Sequence, residues 1–341
     1  MLQRSLGKTG LRTSEIALGG LYTSTLGEGI DETIRMLECA IDRGITLIDT
    51  APAYGDSEEI LGKAFRALGR KSDALLVSTK LGGRPKPFDP RDVKGLSRSF
   101  DESRRLLGRD SIDILSIHEP DRPGIYDWWT DRRSPAGPAL DFIQKLKADG
   151  LVRAIGLGGT TVSELAHQVS GGLFDSVLTA FNYNALYREA ADELLPAAKA
   201  RGMAVLVGSV YGQGGLARRH DEVVRQRPMW LSRPRQAQLL AFYSLLDETG
   251  LGIREIALRM VLGNLDISSV LIGARTASQL EESLSAGLEG PLPTEVLSRL
   301  DEIAAMVPFR PFEEPMILPF GKEYPGPGMP NLGAGIRVGR L

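Results

Sequence analysis

The sequence predicts an α/β chain folded as a (β/α)8 barrel, and three observations carry that reading. Short apolar, β-branched runs alternate with longer amphipathic stretches, the pattern of a parallel sheet whose crossovers are helices. Eight such units follow one another, the number that closes a parallel sheet on itself. Several helical stretches end at a glycine just before the next apolar run, in "DRGITLID", "ADGLVRAIG" and "ARGMAVLVG", where glycine supplies the left-handed residue that stops a helix. A doubly wound open sheet is the rival, but no GxGxxG follows the first strand.

The chain opens with Leu2–Thr13, read as a small hairpin that turns at "GKTG" and plugs the barrel bottom. Strand-like runs then fall at Glu15–Leu18, Thr46–Ile48, Leu75–Ser78, Ile112–Ile117, Ala154–Leu157, Ser176–Ala180, Ala204–Val207 and Ser269–Ile272. The helices that follow them cover roughly 32–43, 57–68, 91–107, 138–149, 161–170, 188–201, 234–249 with 253–263, and 276–287. Two long loops interrupt the rhythm, 119–136 after the fourth strand and 208–233 after the seventh. Loops after strands lie on the face where such barrels do chemistry. From Pro308 the chain is rich in Pro and Gly, and reads as an irregular arm over the barrel or a partner. The expected division is therefore a barrel domain, 1–307, and a C-terminal tail, 308–341.

Composition narrows the function classes. Of 341 residues, 42% are apolar and 25% charged, enough for a sizeable core under a solvated surface. A net charge of −2 offers no polyanion-binding surface, so nucleic acid is not an expected partner. The single cysteine, Cys39, forms no internal disulfide and supplies no cysteine metal cluster; it reads as a small buried helix residue. No metal site is expected. The N-terminus "MLQRSLGKTGLRTSEIALGG" lacks the apolar core of a secretory signal. No apolar run approaches the roughly 18–20 residues that span a bilayer. The expectation is a cytoplasmic protein with no membrane partner.

In "LIDTAPAYGDSEEILGKAF" an apolar strand gives way to a helix, with Asp49 at the strand end and Tyr54 in the turn. Lys80 ends the third strand in "LLVSTK", and His118 ends the fourth in "DILSIH". Each alone has a plain explanation: a helix cap, a surface phenol, a solvated rim lysine, a histidine bonded to a carbonyl. On neighbouring strands at one rim they converge, and their chemistry is coherent. A tyrosine near pKa 10 is a poor acid at neutral pH. A close ammonium stabilises its phenolate and lowers that pKa, and a carboxylate keeps the ammonium charged. Tyr54 then exchanges a proton with a carbonyl or alcohol oxygen that His118 orients. Such a set moves protons but carries no hydride, so an external redox cofactor is needed.

These pieces, with "RSLGKTGLRTSEIALGG", "DILSIHEPD", "FNYN" and "LIGARTASQLEESL", resemble the aldo-keto reductase family over nearly the whole chain. The resemblance implies a (β/α)8 barrel that moves hydride between a nicotinamide and a carbonyl. It assigns Tyr54 as general acid/base, Asp49 and Lys80 as its tuners and His118 as the orienting residue. It implies NADP or NAD as cofactor, with contacts at Gly19, Gly20, Leu21, Asp49, Gly158, Asn182, Ser209, Tyr211, Gly212, Gln213, Gly273 and Ala274. Arg275 and Thr276 are matched to the adenosine phosphates or ribose, and Gln279, Glu282 and Ser283 to the adenine. A helix start offers backbone N–H groups to phosphate, and the glycines of "GSVYGQGGLA" allow close backbone approach.

Around the nicotinamide the sequence departs from the family's commonest pattern. The usual Ser-Asn pair reads Gly158-Gly159, the usual Gln aligns with Ala180, and the usual stacking Tyr with Gly208. Asn182, Thr160 or Tyr211 are the candidate substitutes. The sugar 1-dehydrogenases and pyridoxal dehydrogenase, which oxidise cyclic hemiacetals, look similar in having reduced residues there. The lysine many members place on the 2′-phosphate of NADP is Gly273 here, with Arg275 as the alternative cation. Tyr126, Trp128 and Trp129, in the loop after His118, are candidate walls for a substrate, or for packing against the tail or a neighbouring subunit. Trp230 has the same two readings. Arg132, Arg133, Arg218 and Arg219 read as solvated loop cations, with attraction of anionic substrates as the alternative. The expected partner is a small carbonyl or sugar, with a homo-oligomer as a further possibility. Two other function classes compete: a cofactor-sensing regulatory subunit on a reductase fold, as in potassium-channel β-subunits, and a barrel aldolase with Lys80 as Schiff-base lysine.

Overall fold

The structure, a computed structural model, describes residues 1–84, 86–131, 133–311, 314–322 and 324. An antiparallel hairpin of β1 (Gln3–Ser5) and β2 (Arg12–Ser14) opens the chain. Eight parallel strands close into a barrel in chain order: β3 (Ile16–Gly19), β4 (Leu47–Asp49), β5 (Leu76–Leu81), β6 (Ile112–His118), β7 (Val152–Gly159), β8 (Ser176–Ala180), β9 (Ala204–Gly208) and β10 (Ser269–Ile272). Strand β10 pairs back onto β3 and seals the ring.

Around it lie α1 (Ile30–Asp42), α2 (Ser57–Leu68), α3 (Val93–Leu107), α4 (Pro138–Ala148), α5 (Val162–Ser170), α6 (Glu189–Asp192), α7 (Leu194–Ala200), α8 (Asp221–Gln226), α9 (Arg233–Thr249), α10 (Ile253–Leu262), α11 (Ala277–Gly287) and α12 (Thr294–Ala305). Three depart from the sequence reading. The expected helix 188–201 is split at Glu193, three residues before Pro196. Proline lacks an N–H, and its ring clashes with the carbonyl four residues back, which here belongs to Asp192. Helix α8 falls inside the loop expected at 208–233. Helix α12 follows the eighth unit, so the repeat gives no cue to it; it buries Val296, Leu300 and Ile303.

The alternation of each strand makes two cores. Ala17, Leu47, Ile114, Ala154, Leu178, Ala204, Leu206 and Leu271 fill the barrel interior, joined by Leu6 from the hairpin turn. The plug expected of Leu2–Thr13 is therefore in place. Gly7 lets it sit there: at φ 53°, a Cβ on it would lie 2.4 Å from the Ala204 nitrogen. Outward residues such as Ile16, Leu18, Ile48, Val77 and Leu115 pack under the helices. Cys39 is half-buried on α1, its Sγ 3.5 Å from Glu281. Among the described residues no helix is long and apolar enough to cross a membrane, and no cluster suits a metal ion.

Candidate active site

Every second residue of a strand faces the barrel axis, so the inward positions can be followed upward. From Leu47 the next inward residue is Asp49; above Leu76 come Ser78 and Lys80; above Ile114 come Ser116 and His118. Register sets these side by side, with Asp49 opposite Ser78, Lys80 opposite Ser116 and His118 opposite Gly158. On the remaining strands the same top layer reads Gly158, Ala180, Gly208, Gly273 and Gly19. Ionisable groups thus occupy one arc of the rim, and side chains nearly vanish on the other.

The polar arc is tightly bonded. Lys80 Nζ donates to Asp49 Oδ2 and to the Thr50 carbonyl, both at 2.7 Å, and Ser78 Oγ donates to Asp49 Oδ1 at 2.7 Å. Tyr54 stands over this pair with Lys80 Nζ 4.9 Å from its ring centre. His118 meets the Tyr54 ring edge-on at 5.9 Å. The turn that carries Tyr54 is pinned by Ser57, whose Oγ donates to the Gly20 carbonyl at 2.7 Å and contacts the hydroxyls of Thr23 and Thr50. Trp128 Nε1 donates to the His118 carbonyl at 2.9 Å and fixes the end of β6.

Burial dominates the protonation states. It pulls Lys80 down, but Asp49 and Tyr54 together outweigh it and hold the ammonium above its ordinary pKa. Tyr54 goes up, because burial exceeds the downward pull of Lys80, and Asp49 and Glu119 add to the rise. The sequence-based expectation of a net lowered phenol is corrected on this point: Lys80 lowers the pKa only relative to what burial alone would impose. Burial and then Lys80 push His118 down to about 3, so its imidazole is neutral.

Above the layer opens a cavity of about 430 Å³. Of the expected residues it is lined by Asp49, Tyr54 and His118, and by Gly19, Gly20, Leu21, Ser209, Tyr211, Gln213, Gly273, Arg275 and Gln279. Thr160, Ala180 and Gly208 line it as well. Strain gathers here: Glu119, Phe181, Ser209 and Gln213 all have φ between 52° and 71°, and all four line the cavity.

Other expected residues sit elsewhere, each for a visible reason. Lys80 lies beneath the cavity, under Tyr54. Asn182 spends its Nδ2 on the Thr160 carbonyl (2.8 Å) and Thr179 Oγ1 (3.1 Å), so it shapes the wall from behind. Gly158 backs the wall, accepting from the Glu119 N–H at 2.7 Å. At α11, Thr276 caps the helix, Ala274 is buried, Ser283 Oγ returns to the Gln279 carbonyl, and Glu282 pairs with Arg254. The Ala277 N–H is occupied by Glu32 Oε1 at 2.7 Å, so this helix start offers fewer free donors than expected. Gly212 turns the chain without facing the cavity.

Of the two readings of the loop aromatics, packing holds and the substrate wall is corrected. Trp128 and Trp129 are buried in the core, 1% and 6% exposed, and do not line this cavity. Tyr126 packs edge-on against Phe88 and Trp128 beside Gly82. Trp230 packs against Phe320 of the tail. Arg219 pairs with Asp221 and Asp247, and Arg132 lies outside the described residues. In the tail, Glu314 is buried against Arg235 (3.0 Å) and accepts from Tyr187 (2.7 Å). Sequence reasoning missed Tyr22, Glu119, Phe181, Arg254 and Lys322, which line the cavity. Glu119 had a signal, its place directly after His118; Arg254 and Lys322 arrive from α10 and the tail, which no local pattern connects to the rim.

Gly159 explains one departure in the sequence. A Cβ there would lie 2.1 Å from Asp121 Oδ1. Asp121 Oδ2 accepts from the Thr160 N–H at 2.8 Å and from the Thr161 N–H, tying the two residues that lead into α5 to the loop after β6. The carboxylate fills the space where a side chain at 159 would stand.

The aldo/keto reductase family model matches residues 15–305. L-Galactose dehydrogenase of Arabidopsis thaliana is 31% identical over 84% of this chain and 88% of its own. Pyridoxal 4-dehydrogenase of Microbacterium luteolum is 28% identical over 87% and 96%, and D-threo-aldose 1-dehydrogenase of a Pseudomonas species 29% over 76% and 85%. With a closed barrel, a buried Asp–Lys pair beneath a tyrosine and this match, the chain belongs to the aldo/keto reductase family and is an NAD(P)-dependent oxidoreductase.

Proposed function

We propose that the enzyme moves hydride between a nicotinamide and the reacting carbon of an aldehyde, ketone or sugar hemiacetal, with Tyr54 as proton carrier. One observation carries this reading: the ammonium of Lys80, fixed 2.7 Å from Asp49, lies under the phenol at the cavity floor. The chain fits the dinucleotide. Gly19–Tyr22, Ser209–Tyr211, Gln213, Gly214, Gly273, Arg275 and Gln279 line the cavity, with Gly20 so close to the strand ends that a Cβ would lie 2.8 Å from the Asp49 carbonyl. The bound nicotinamide supplies or accepts the hydride.

In reduction, Tyr54 Oη gives its proton to the carbonyl oxygen as that oxygen gains charge. Lys80 stabilises the phenolate left behind, and Asp49 keeps Lys80 charged. Neutral His118 holds the same oxygen through a ring N–H. Oxidation runs these steps backward. A lysine held charged by Asp49 is a poor amine nucleophile, which counts against the Schiff-base reading.

NADP is the favoured cofactor. Arg275 faces the cavity stacked on Tyr22 at 4.7 Å, and among the described residues it has no carboxylate partner. Sugar hemiacetals are the favoured substrates, by likeness to relatives named for L-galactose and a D-threo-aldose. The test is a panel of aldehydes, ketones and aldoses, run with NADP and NAD in parallel and followed by the absorbance of the reduced nicotinamide. Turnover of an aldose, faster with NADP, is expected. Cofactor binding without any turnover would favour the sensing subunit instead.

A further inference from the structure

We propose that Glu119 determines specificity: its carboxyl, at the cavity that Tyr54 and His118 also line, accepts a hydrogen bond from a hydroxyl near the reacting carbon and favours neutral polyhydroxylated substrates over anionic ones. The inference rests on the hydride-transfer reading and adds a substrate feature to it.

Glu119 directly follows His118 and lines the cavity. Its backbone has φ 52°, a region that costs a residue with a side chain about 1 kcal/mol or more. Two backbone bonds hold it there, from its own N–H to the Gly158 carbonyl at 2.7 Å and from the Arg122 N–H to its carbonyl at 3.2 Å. A glycine would make this turn without strain. The chain instead places a carboxyl at it.

That carboxyl is short of partners. Oε2 has Arg122 Nη1 at 3.4 Å and Thr160 Oγ1 at 3.5 Å, both at the outer limit of a hydrogen bond. No donor among the described residues reaches Oε1. A carboxylate has about four lone-pair sites, so Oε1 is left open to a donor that a ligand brings. Only 13% of the side chain is exposed, and burial followed by the neighbouring Asp121 pushes its pKa up. Glu119 lines the same cavity as Tyr54 and His118, so a substrate held there shares that space with it. A substrate hydroxyl relieves the missing bond. An anionic substrate meets a carboxyl where it needs a donor. Arg122 does not cancel this, because its 3.4 Å contact is a marginal one.

The experiment compares substrates differing by one hydroxyl: glyceraldehyde against propionaldehyde in reduction, and galactose against 2-deoxygalactose in oxidation. Wild type is expected to favour the hydroxylated member by about tenfold or more in kcat/KM, as buried polar groups left unpaired by an analogue impose. Glu119→Ala should collapse that ratio toward one. Glu119→Gln, which keeps an acceptor and loses the charge, should keep part of it and raise the relative kcat/KM for glyceraldehyde 3-phosphate. Should the alanine variant fail to bind cofactor, Glu119→Gly, which removes the acceptor and takes the left-handed backbone without strain, is expected to show the same collapse. A merely structural role lowers both members of a pair in parallel; an unchanged ratio overturns the proposal. Equal use of both members by the wild type overturns it too, leaving the oxidoreductase reading intact. No turnover of any member overturns that reading, and this one with it.

Discussion

The two arcs of the barrel rim are built from equivalent positions yet do opposite things. From β4 to β6 the top inward residues are Asp49, Lys80 and His118; from β7 round to β3 they are Gly158, Ala180, Gly208, Gly273 and Gly19. The first arc is crowded and fixes protonation: each group there is held by a neighbour or by burial. The second arc works by what it leaves out. Its missing side chains leave open space above Leu178 and Leu271. One barrel thus supplies a bonded polar cluster and an adjacent void from the same two-residue alternation.

The largest effect should come from breaking the crowded arc at the proton carrier proposed for it. Tyr54→Phe keeps the ring that covers Lys80 and deletes the hydroxyl. It should lower kcat by about 10²–10⁴, as loss of a general acid does, with cofactor affinity retained. Pre-steady-state kinetics with cofactor titration by fluorescence checks both halves. Turnover near wild type would remove Tyr54 from the chemistry, and an equal loss of cofactor binding would make the phenol a packing group.

A second prediction uses pH on the same arc. Folded His118 titrates at about 3 against an ordinary 6.5, because burial and Lys80 oppose its charge. Between those values the unfolded chain binds a proton that the folded chain refuses, so stability falls as pH drops below 6.5 and is unaffected by this group above it. The slope is at most about 1.4 kcal/mol per pH unit. His118→Gln should flatten the acid limb of Tm against pH relative to wild type. Parallel curves would mean that His118 is hydrated when folded, and that the crowded arc is less closed than its geometry shows.

The crowded arc was legible in the sequence because polarity interrupts an apolar run where a strand ends. Asp49, Lys80 and His118 each stand at such an interruption. The same habit clipped the strands: expected ends at Leu18, Ile48, Ile117 and Val207 stop where apolar character stops, whereas the backbone ladder runs on to Gly19, Asp49, His118 and Gly208. The open arc was legible only as departures from a pattern. Nothing local to Gly159 says that Asp121, from another loop, fills its space. Trp128 and Trp129 misled for a related reason. A loop aromatic has the same letters whether it walls a pocket or, like Trp128, spends its N–H on a strand-end carbonyl. Glu119 lay in plain view beside His118, but its weight comes from burial and a left-handed backbone, neither of which its letter reveals.

The smallest expected effect tests the open arc directly. A Cβ on Gly208 would meet Ala180 Cβ at 3.7 Å and Leu178 Cδ2 at 3.8 Å, ordinary contacts, so the first carbon of a side chain fits. Everything beyond it must enter the cavity. Gly208→Leu should therefore leave Tm within a few degrees of wild type, the shift of about 1 kcal/mol or less, and weaken cofactor binding by about tenfold. Gly159→Ala is the contrast, since its Cβ would fall 2.1 Å from Asp121 Oδ1. That carboxylate must move, its bonds to the Thr160 and Thr161 N–H groups are lost, and about 1–2 kcal/mol of stability should go with them. Thermal unfolding and cofactor titration of the two variants separate a glycine kept for an absent ligand from one kept for a neighbour within the chain. If Gly208→Leu bound cofactor as tightly as wild type, the emptiness of that arc would serve something other than the ring.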